Sequence, residues 1–445
     1  KDDEDHTAHA IGRVATTSAL DLIMAGDPTT KQNLVIQSSK NASNDWFFDV
    51  ESAEYHKPAN GRRMIKGDSL DRSNFLAAQC ALQPGLAAAY GELLMQTEKS
   101  TEFYVLDKPE LAGMPHGYIR QMLPKAVVCG YLKKSSDGLS ATPDAVLNPR
   151  DDRIMEEGER VVVIALDGND TKLVQPAALS PLVEPTAKAP VAAQKSFMII
   201  EPGNEGTLQD MLSAITIFGS PGSSVAVLAQ KKPEIDLNQY KKIGFPVRYV
   251  KGDIGDRNAL IKAGIQTCDS IILCEGDLAR SKEHEVKMLA SLTLLRVLRE
   301  EAAAESKIAA HNKLHVVALS YWAETASAAK TIAMRSKAPM SVGFLLPDQF
   351  IGGTLAQVAA QPSIGTVLRH LITDPEGCEL YVRPASGYVS SSVPFSEMEN
   401  RARLSDETAI GVFTRSPDGE YLLSLCCPRD MVVQPKDSVV VLAEQ

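Results

Sequence analysis

SFMIIEPGNEGTLQDMLSAITIF, residues Ser196–Phe218, reads as an apolar strand, a tight turn and an amphipathic helix in immediate succession. Ser196–Ile200 is a short run of strand length, and Pro202-Gly-Asn-Glu-Gly206 is the turn. Leu208, Met211, Leu212 and Ile215 then recur at the spacing that places them on one helical face. Gly219-Ser-Pro-Gly222 stops the helix, because glycine suits a C-terminal cap and proline cannot continue it.

The same alternation continues downstream. Strands are expected at Val225–Leu228, Val247–Val250, Ser270–Cys274, Leu314–Leu319 and Ser341–Leu346. Helices are expected at Asn258–Ala263, Gln349–Val358 and Glu283–Arg299, the last with Val286, Leu289, Leu292 and Leu295 at helical spacing. Short, continuously apolar strands alternating with helices imply a parallel sheet covered on both faces. Six such strands fit an α/β, Rossmann-like, doubly wound fold. From Glu379 the signals change to short strands and turns, among them Ala409–Thr414, Tyr421–Leu425 and Val439–Leu442, with Ser416-Pro-Asp-Gly419 as a turn. This predicts a small α+β or β-rich cap after the sheet.

The pattern is written twice. Glu102-Phe-Tyr-Val105 returns as Glu379-Leu-Tyr-Val382, Gln83-Pro84 as Gln361-Pro362, Arg160–Ala165 as Ser438–Ala443, and Leu34–Gln37 as His315–Ala318. All four pairs keep their order at a spacing of roughly 280 residues, the mark of a tandem repeat. On that spacing the first copy would open about 80 residues before Lys1, so the chain reads as part of something longer. The expected organisation is a truncated first Rossmann-like module (1–98), a first cap (99–170), a Pro/Ala-rich linker (171–195), a second Rossmann-like module (196–373) and a second cap (374–445).

Composition narrows the function classes. A net charge of −10 argues against non-specific binding to nucleic acid. Seven cysteines form an odd set without CxxC, so neither a disulfide framework nor a zinc site is expected. No apolar stretch approaches the roughly 20 residues of a membrane-spanning helix. The chain also lacks G-x-S-x-G, HExxH and Walker A patterns, and its histidines are scattered, so an enzyme is not expected.

A dinucleotide site needs a glycine-rich turn that brings phosphate to the amides of a helix N-terminus. Gly203 and Gly206 supply part of such a turn without the full GxGxxG, and Glu201 and Glu205 place negative charge beside it. Gln230 stands where an acidic ribose ligand is expected. Asp253 and Asp256 follow the third strand, at the edge where α/β sheets bind ligands, although Asp256 serves equally as a helix N-cap. Ordinary NAD binding is therefore expected to be impaired, with a degenerate NAD(P)-dependent oxidoreductase as the alternative function. For a cation the candidate oxygen clusters are Asp151, Asp152, Glu156 and Glu157, and Glu275 with Asp277, none at EF-hand spacing. Calcium and a nucleotide are the candidate ligands.

Gln79-Cys-Ala-Leu-Gln-Pro-Gly-Leu86, Glu102–Val105, Leu111-Ala-Gly-Met114, Leu147-Asn-Pro149 and Glu157-Gly158 resemble the middle region of CASTOR and POLLUX channels. Glu379-Leu-Tyr-Val-Arg-Pro384 and Tyr388 fit the same family. Gly252-Asp253, Ala263-Gly-Ile265 and Cys268–Leu273 are similar to the modules that regulate potassium conductance (RCK) and to Trk-type potassium-uptake regulators. The resemblance implies ligand-sensing gating domains of a cation channel. It further implies a homotetramer whose paired modules lie below a pore in the same polypeptide, facing cytosol or nucleoplasm. The membrane it implies is the nuclear envelope or a plastid membrane, with a role in calcium-linked signalling.

Overall fold

The computed structural model describes residues 73–94, 100–133, 144–187, 193–274, 282–305, 313–320, 323–361, 363–372, 377–415 and 421–444, together with the backbone of 33–36 and 63–66. In the first half, β1 (Asn33–Ile36) and β2 (Arg63–Lys66) pair in parallel and are followed by helices α1 (Ser73–Leu82) and α2 (Leu86–Leu94). A four-stranded antiparallel sheet comes next: β3 (Glu102–Leu106), helix α3 (His116–Met122), β4 (Val127–Leu132), β5 (Ala145–Leu147) and β6 (Arg160–Ala165), in the order β3-β6-β4-β5.

The second half begins with β7 (Ser196–Ile200) and α4 (Glu205–Phe218). It continues through β8 (Ser224–Ala229), α5 (Asn238–Lys242), β9 (Val247–Lys251), α6 (Arg257–Ala263), β10 (Ser270–Leu273), α7 (Lys282–Ala304), β11 (Leu314–Leu319), α8 (Ala323–Met334) and β12 (Met340–Leu345). The six strands form one wholly parallel sheet in the order β12-β11-β10-β7-β8-β9. That order, doubling back between β7 and β10, is the Rossmann arrangement. Helices α9 (Pro347–Ala360) and α10 (Ile364–Ile372) lead to a second four-stranded antiparallel sheet. It is built from β13 (Cys378–Pro384), β15 (Thr408–Arg415), β16 (Tyr421–Leu425) and β18 (Ser438–Glu444), with α11 (Phe395–Leu404) inserted. The small pair β14 (Val393–Pro394) and β17 (Val432–Val433) closes it.

Strand alternation explains the layering. Along β7, Phe197 and Ile199 face one apolar core while Met198 and Ile200 face another. The second core lies under α6, α7 and α8. The first is shared between the halves: Leu76, Leu86 and Tyr90 of α1 and α2 pack with Leu208 and Met211 of α4 and with Val440 and Leu442 of β18. Burial of apolar surface, worth about 25 cal/mol per Å², draws the halves together through this shared core.

Two sequence expectations are corrected by packing. The buried stripe of α7 runs through Met288, Leu292, Leu295 and Leu298, whereas Val286 is 67% exposed. At 100° per residue Val286 lies well round the helix from that stripe. The segment read as a linker is held at several points: Ser180 N donates to Gln121 Oε1 (2.7 Å), Val183 N to Asp151 Oδ2 (3.1 Å), and Thr186 and Ala187 N to Leu404 O (both 2.9 Å). Backbone groups make these attachments, and they need no apolar periodicity. The turn Ser416–Gly419 lies outside the described residues.

Candidate functional site

The carboxyl edge of the parallel sheet gathers the residues expected to touch a ligand. At the end of β7, Glu201 adopts φ 48°, a left-handed backbone that redirects the chain into the turn toward α4. Gly203 has φ 79°. Asn204 caps α4, its side-chain oxygen accepting from Thr207 N at 2.9 Å. Glu205 Oε1 accepts from Glu234 N at 2.7 Å, and Glu201 Oε2 pairs with Lys287 Nζ at 3.0 Å. A pyrophosphate approaching this helix end would therefore meet two carboxylates and a capping oxygen that already holds one of the free amides.

Gln230, at the end of β8, donates from Nε2 to Asp253 Oδ2 at 2.7 Å, and Gly255 N donates to Asp253 Oδ1 at 2.8 Å. Asp256 caps α6, accepting from Asn258 N (2.9 Å) and Ala259 N (3.1 Å). A Cβ at Gly252 would stand 2.3 Å from the Cβ of Ala259, so glycine permits α6 to press against the end of β9. Gln230 and Asp253 are thus brought together. Asp256 turns into its own helix, and Gly206 lies in the first turn of α4, where an added Cβ would meet Asn204 Oδ1 at 3.3 Å. Further along the same edge, buried Glu285 accepts from Ser320 Oγ at 3.0 Å, a pair the sequence did not single out.

The acidic stretch of the first half is arranged differently. Asp151 is buried and accepts from Arg120 Nη1 (2.8 Å) and Arg403 Nε (3.1 Å). Asp152, Glu156 and Glu157 are exposed. Among the described residues no group of three or more His, Cys, Asp or Glu side chains converges as metal ligands would. Asp151 is the counter-charge to two guanidinium groups, which explains its burial. Glu275 and Asp277 lie outside the described residues. Every cysteine is free, and all but half-buried Cys426 are buried. Burial pushes the Cys268 and Cys426 thiols up to about 12.

The most specific geometry lies between the halves. Gln361, just after α9, donates from Nε2 to Val105 O (2.7 Å) and accepts at Oε1 from Val105 N (3.0 Å). Gln83, just after α1, accepts from Val382 N at 2.7 Å. Val105 lies on β3 and Val382 on β13, the outer strands of the two antiparallel sheets. Each glutamine thus stands in for a missing neighbouring strand on the opposite half, satisfying edge groups that need partners. Tyr90 OH donates to Leu371 O (3.1 Å), and buried His315 links Ser341 Oγ (3.0 Å) to Cys80 O (3.1 Å). Arg403 donates to Asn148 Oδ1 (2.7 Å), Pro149 O (2.8 Å) and Thr408 Oγ1 (3.1 Å) besides Asp151.

Residues 73–180, which carry α1, α2 and the first antiparallel sheet, match the family model described as Castor and Pollux, part of voltage-gated ion channel. The chain is similar to the Castor and Pollux proteins. It is 28% identical over 393 residues to "Probable ion channel POLLUX" of Arabidopsis thaliana, covering 82% of this chain and 46% of that protein. Against "Ion channel POLLUX" of Lotus japonicus the identity is 28%, covering 76% and 38%. Against "Ion channel DMI1" of Medicago truncatula it is 27%, covering 76% and 40%. The chain spans less than half the length of these curated relatives. Its fold is similar to "Structure of the human SLO3 gating ring", with a TM-score of 0.61 at 12% identity, covering 97% of this chain and 84% of that one. These relatives are named ion channels. Among the described residues no helix is long and apolar enough to cross a membrane.

Proposed function

We propose that the chain forms the regulatory region of a Castor/Pollux-type cation channel, sensing a ligand and passing the change to a pore in the same polypeptide. The observation that carries this reading is the reciprocal docking of the halves, Gln361 on β3 and Gln83 on β13. A contact made twice, in opposite senses, moves as a unit when either half shifts. A ligand that binds one arrangement of the halves more tightly than another would then alter tension on the pore. The channel names of the relatives and the gating-ring likeness of the fold support the same reading.

The halves are, on this proposal, two copies of one unit with the boundaries read from the sequence, the first copy truncated. Its support is that β1–β2 and β11–β12 share one parallel pairing and that the two antiparallel sheets share one strand order. Assembly as a homotetramer below the pore, facing cytosol or nucleoplasm at the nuclear envelope or in a plastid, belongs to the proposal, as does the absence of catalysis. Calcium or a nucleotide is the ligand proposed, with Gln230 and Asp253 as its nearest polar pair.

Calorimetric titration of this chain with calcium and with NAD(H) and ATP, alongside single-channel recording of the full-length channel, tests the reading. Heat of binding together with a ligand-dependent open probability is expected. No heat and no change in open probability with any of them would overturn the sensing role. NAD(P)-dependent turnover of a substrate would move the chain to the oxidoreductase reading.

A further inference from the structure

The two antiparallel sheets match hydrogen bond by hydrogen bond around their inserted helices. His116 N donates to Arg153 O (2.8 Å) and Gly117 N to Asp151 O (3.0 Å). In the second half Phe395 N donates to Met431 O (2.8 Å) and Ser396 N to Arg429 O (2.9 Å). Asn148 has φ 49° and donates from N to Cys129 O (2.7 Å); Cys426 has φ 47° and donates from N to Ile410 O (2.9 Å). The acceptors Cys129 and Ile410 sit at matching irregularities, between Val128 and Gly130 of β4 and between Ala409 and Gly411 of β15. These bonds place Asp151 where Arg429 stands. They also place Arg120 of α3 where Glu399 of α11 stands, each four residues beyond its helix's first residue.

At both places the charge is reversed. The first half carries the ion pair Arg120–Asp151 (2.8 Å), and the second carries Glu399–Arg429 (3.8 Å) with its signs exchanged. The four groups meet where the halves touch. Arg429 Nη2 donates to Arg120 O at 3.2 Å, and Arg403 of the second half pairs with Asp151 at 3.1 Å. Burial raises the Glu399 carboxyl, and the positive charges of Arg120 and Arg429 oppose that rise.

We propose that these exchanged pairs make the contact selective for unlike partners: the first antiparallel sheet mates with the second and refuses a copy of itself. Paired with its own kind through the same surface, the first sheet would bring Arg120 toward Arg120, and the second would bring Glu399 toward Glu399. Like charges held in a half-dry contact repel strongly, and this is how natural interfaces exclude wrong partners. In an assembly of several chains, this surface is then satisfied between a first and a second half. Contacts between like halves must use other faces of the molecule.

The experiment compares two double variants of the full chain. E399R/R429D gives the second half the charges of the first, whereas E399Q/R429Q removes the same native pair without adding charge. Hydrogen exchange of the segment around Asn148–Asp152, read by mass spectrometry, reports the contact. Selectivity predicts exchange there at least about tenfold faster in E399R/R429D than in E399Q/R429Q. Reversing the first pair as well would not restore the contact, because D151R sets a second guanidinium against Arg403. R120E in turn would set a carboxylate against Asp151, so the coupling is read from neutral variants: R120Q/E399Q is expected to speed exchange by less than the product of the R120Q and E399Q effects. Equal exchange in the two charge-altered double variants, or strict additivity of R120Q and E399Q, would overturn the proposal. If E399R/R429D fails to fold, the R120Q and E399Q cycle alone decides it.

Discussion

Replacing Arg403 with alanine removes the fully buried guanidinium that ties α11 to the first half. Its donors reach Asp151 Oδ1, Asn148 Oδ1, Thr408 Oγ1 and Pro149 O, and its exposure is 1%. Breaking a buried charged pair from one side costs about 3–5 kcal/mol, because the remaining charge is left in a poorly solvating site. Asp151 would keep Arg120 at 2.8 Å and Val183 N at 3.1 Å, which places Arg403→Ala near the lower end, about 3 kcal/mol. That corresponds to roughly two decades in the equilibrium for opening the contact. Arg403→Lys keeps the charge but not the planar fork, so it is expected to recover less than half of the loss. Urea unfolding of the chain and its two variants, followed by exchange protection of Asn148 and Thr408, measures the effect. A loss below about 1 kcal/mol for Arg403→Ala would refute the view that this residue joins the halves.

Gln361→Ala deletes both bonds to Val105, a loss of about 2 kcal/mol at roughly 1 kcal/mol each, and should speed exchange of the Val105 amide about tenfold or more; Gln83→Ala should do the same at Val382. Asp256→Ala removes the cap of α6 and is expected to cost about 1 kcal/mol in thermal or urea unfolding, with Asp256→Asn close to neutral. Burial holds the His315 imidazole down at about 3, against 6.5 when unfolded, so the native state stays neutral while the unfolded chain takes up a proton. Stability is therefore lost as pH falls below about 6.5, by up to roughly 1.4 kcal/mol per pH unit for this one group, until about pH 3. In His315→Gln, unfolding measured between about pH 6 and 4 should show a slope smaller by close to one proton; an unchanged slope would show that His315 is not buried as a neutral ring.

Some of the structure was legible residue by residue. The apolar run Phe197–Ile200, the capped helix after it and the strands at Val225, Ser270 and Leu314 announced a parallel sheet, because a strand buried on both faces has to be apolar throughout. Helices α8 and α11 escaped notice. Ala323–Met334 is rich in alanine with little apolar contrast, and Phe395–Leu404 carries only Phe395, Met398 and Ala402 as buried apolar anchors. The recurrence of Gln-Pro at Gln83 and Gln361 was visible in the sequence, but its purpose was not, since each glutamine acts on a strand about 260 to 300 residues away in sequence.

By itself, then, the sequence settled the clearer periodicities: the strands of the parallel sheet, the helices with strong apolar contrast, that the composition is ordinary and that Gly203–Gly206 falls short of a full phosphate-binding turn. These follow from local rules, in which a residue's neighbours in the chain are its neighbours in space. Tertiary structure alone decided which charges meet. Asp151 looked like one of four acidic residues in a turn and proved to be the buried counter-charge of Arg120 and Arg403, 252 positions apart in the last case. The strength of such a contact depends on distance and on the exclusion of water, and neither quantity is defined until the two halves have packed against each other.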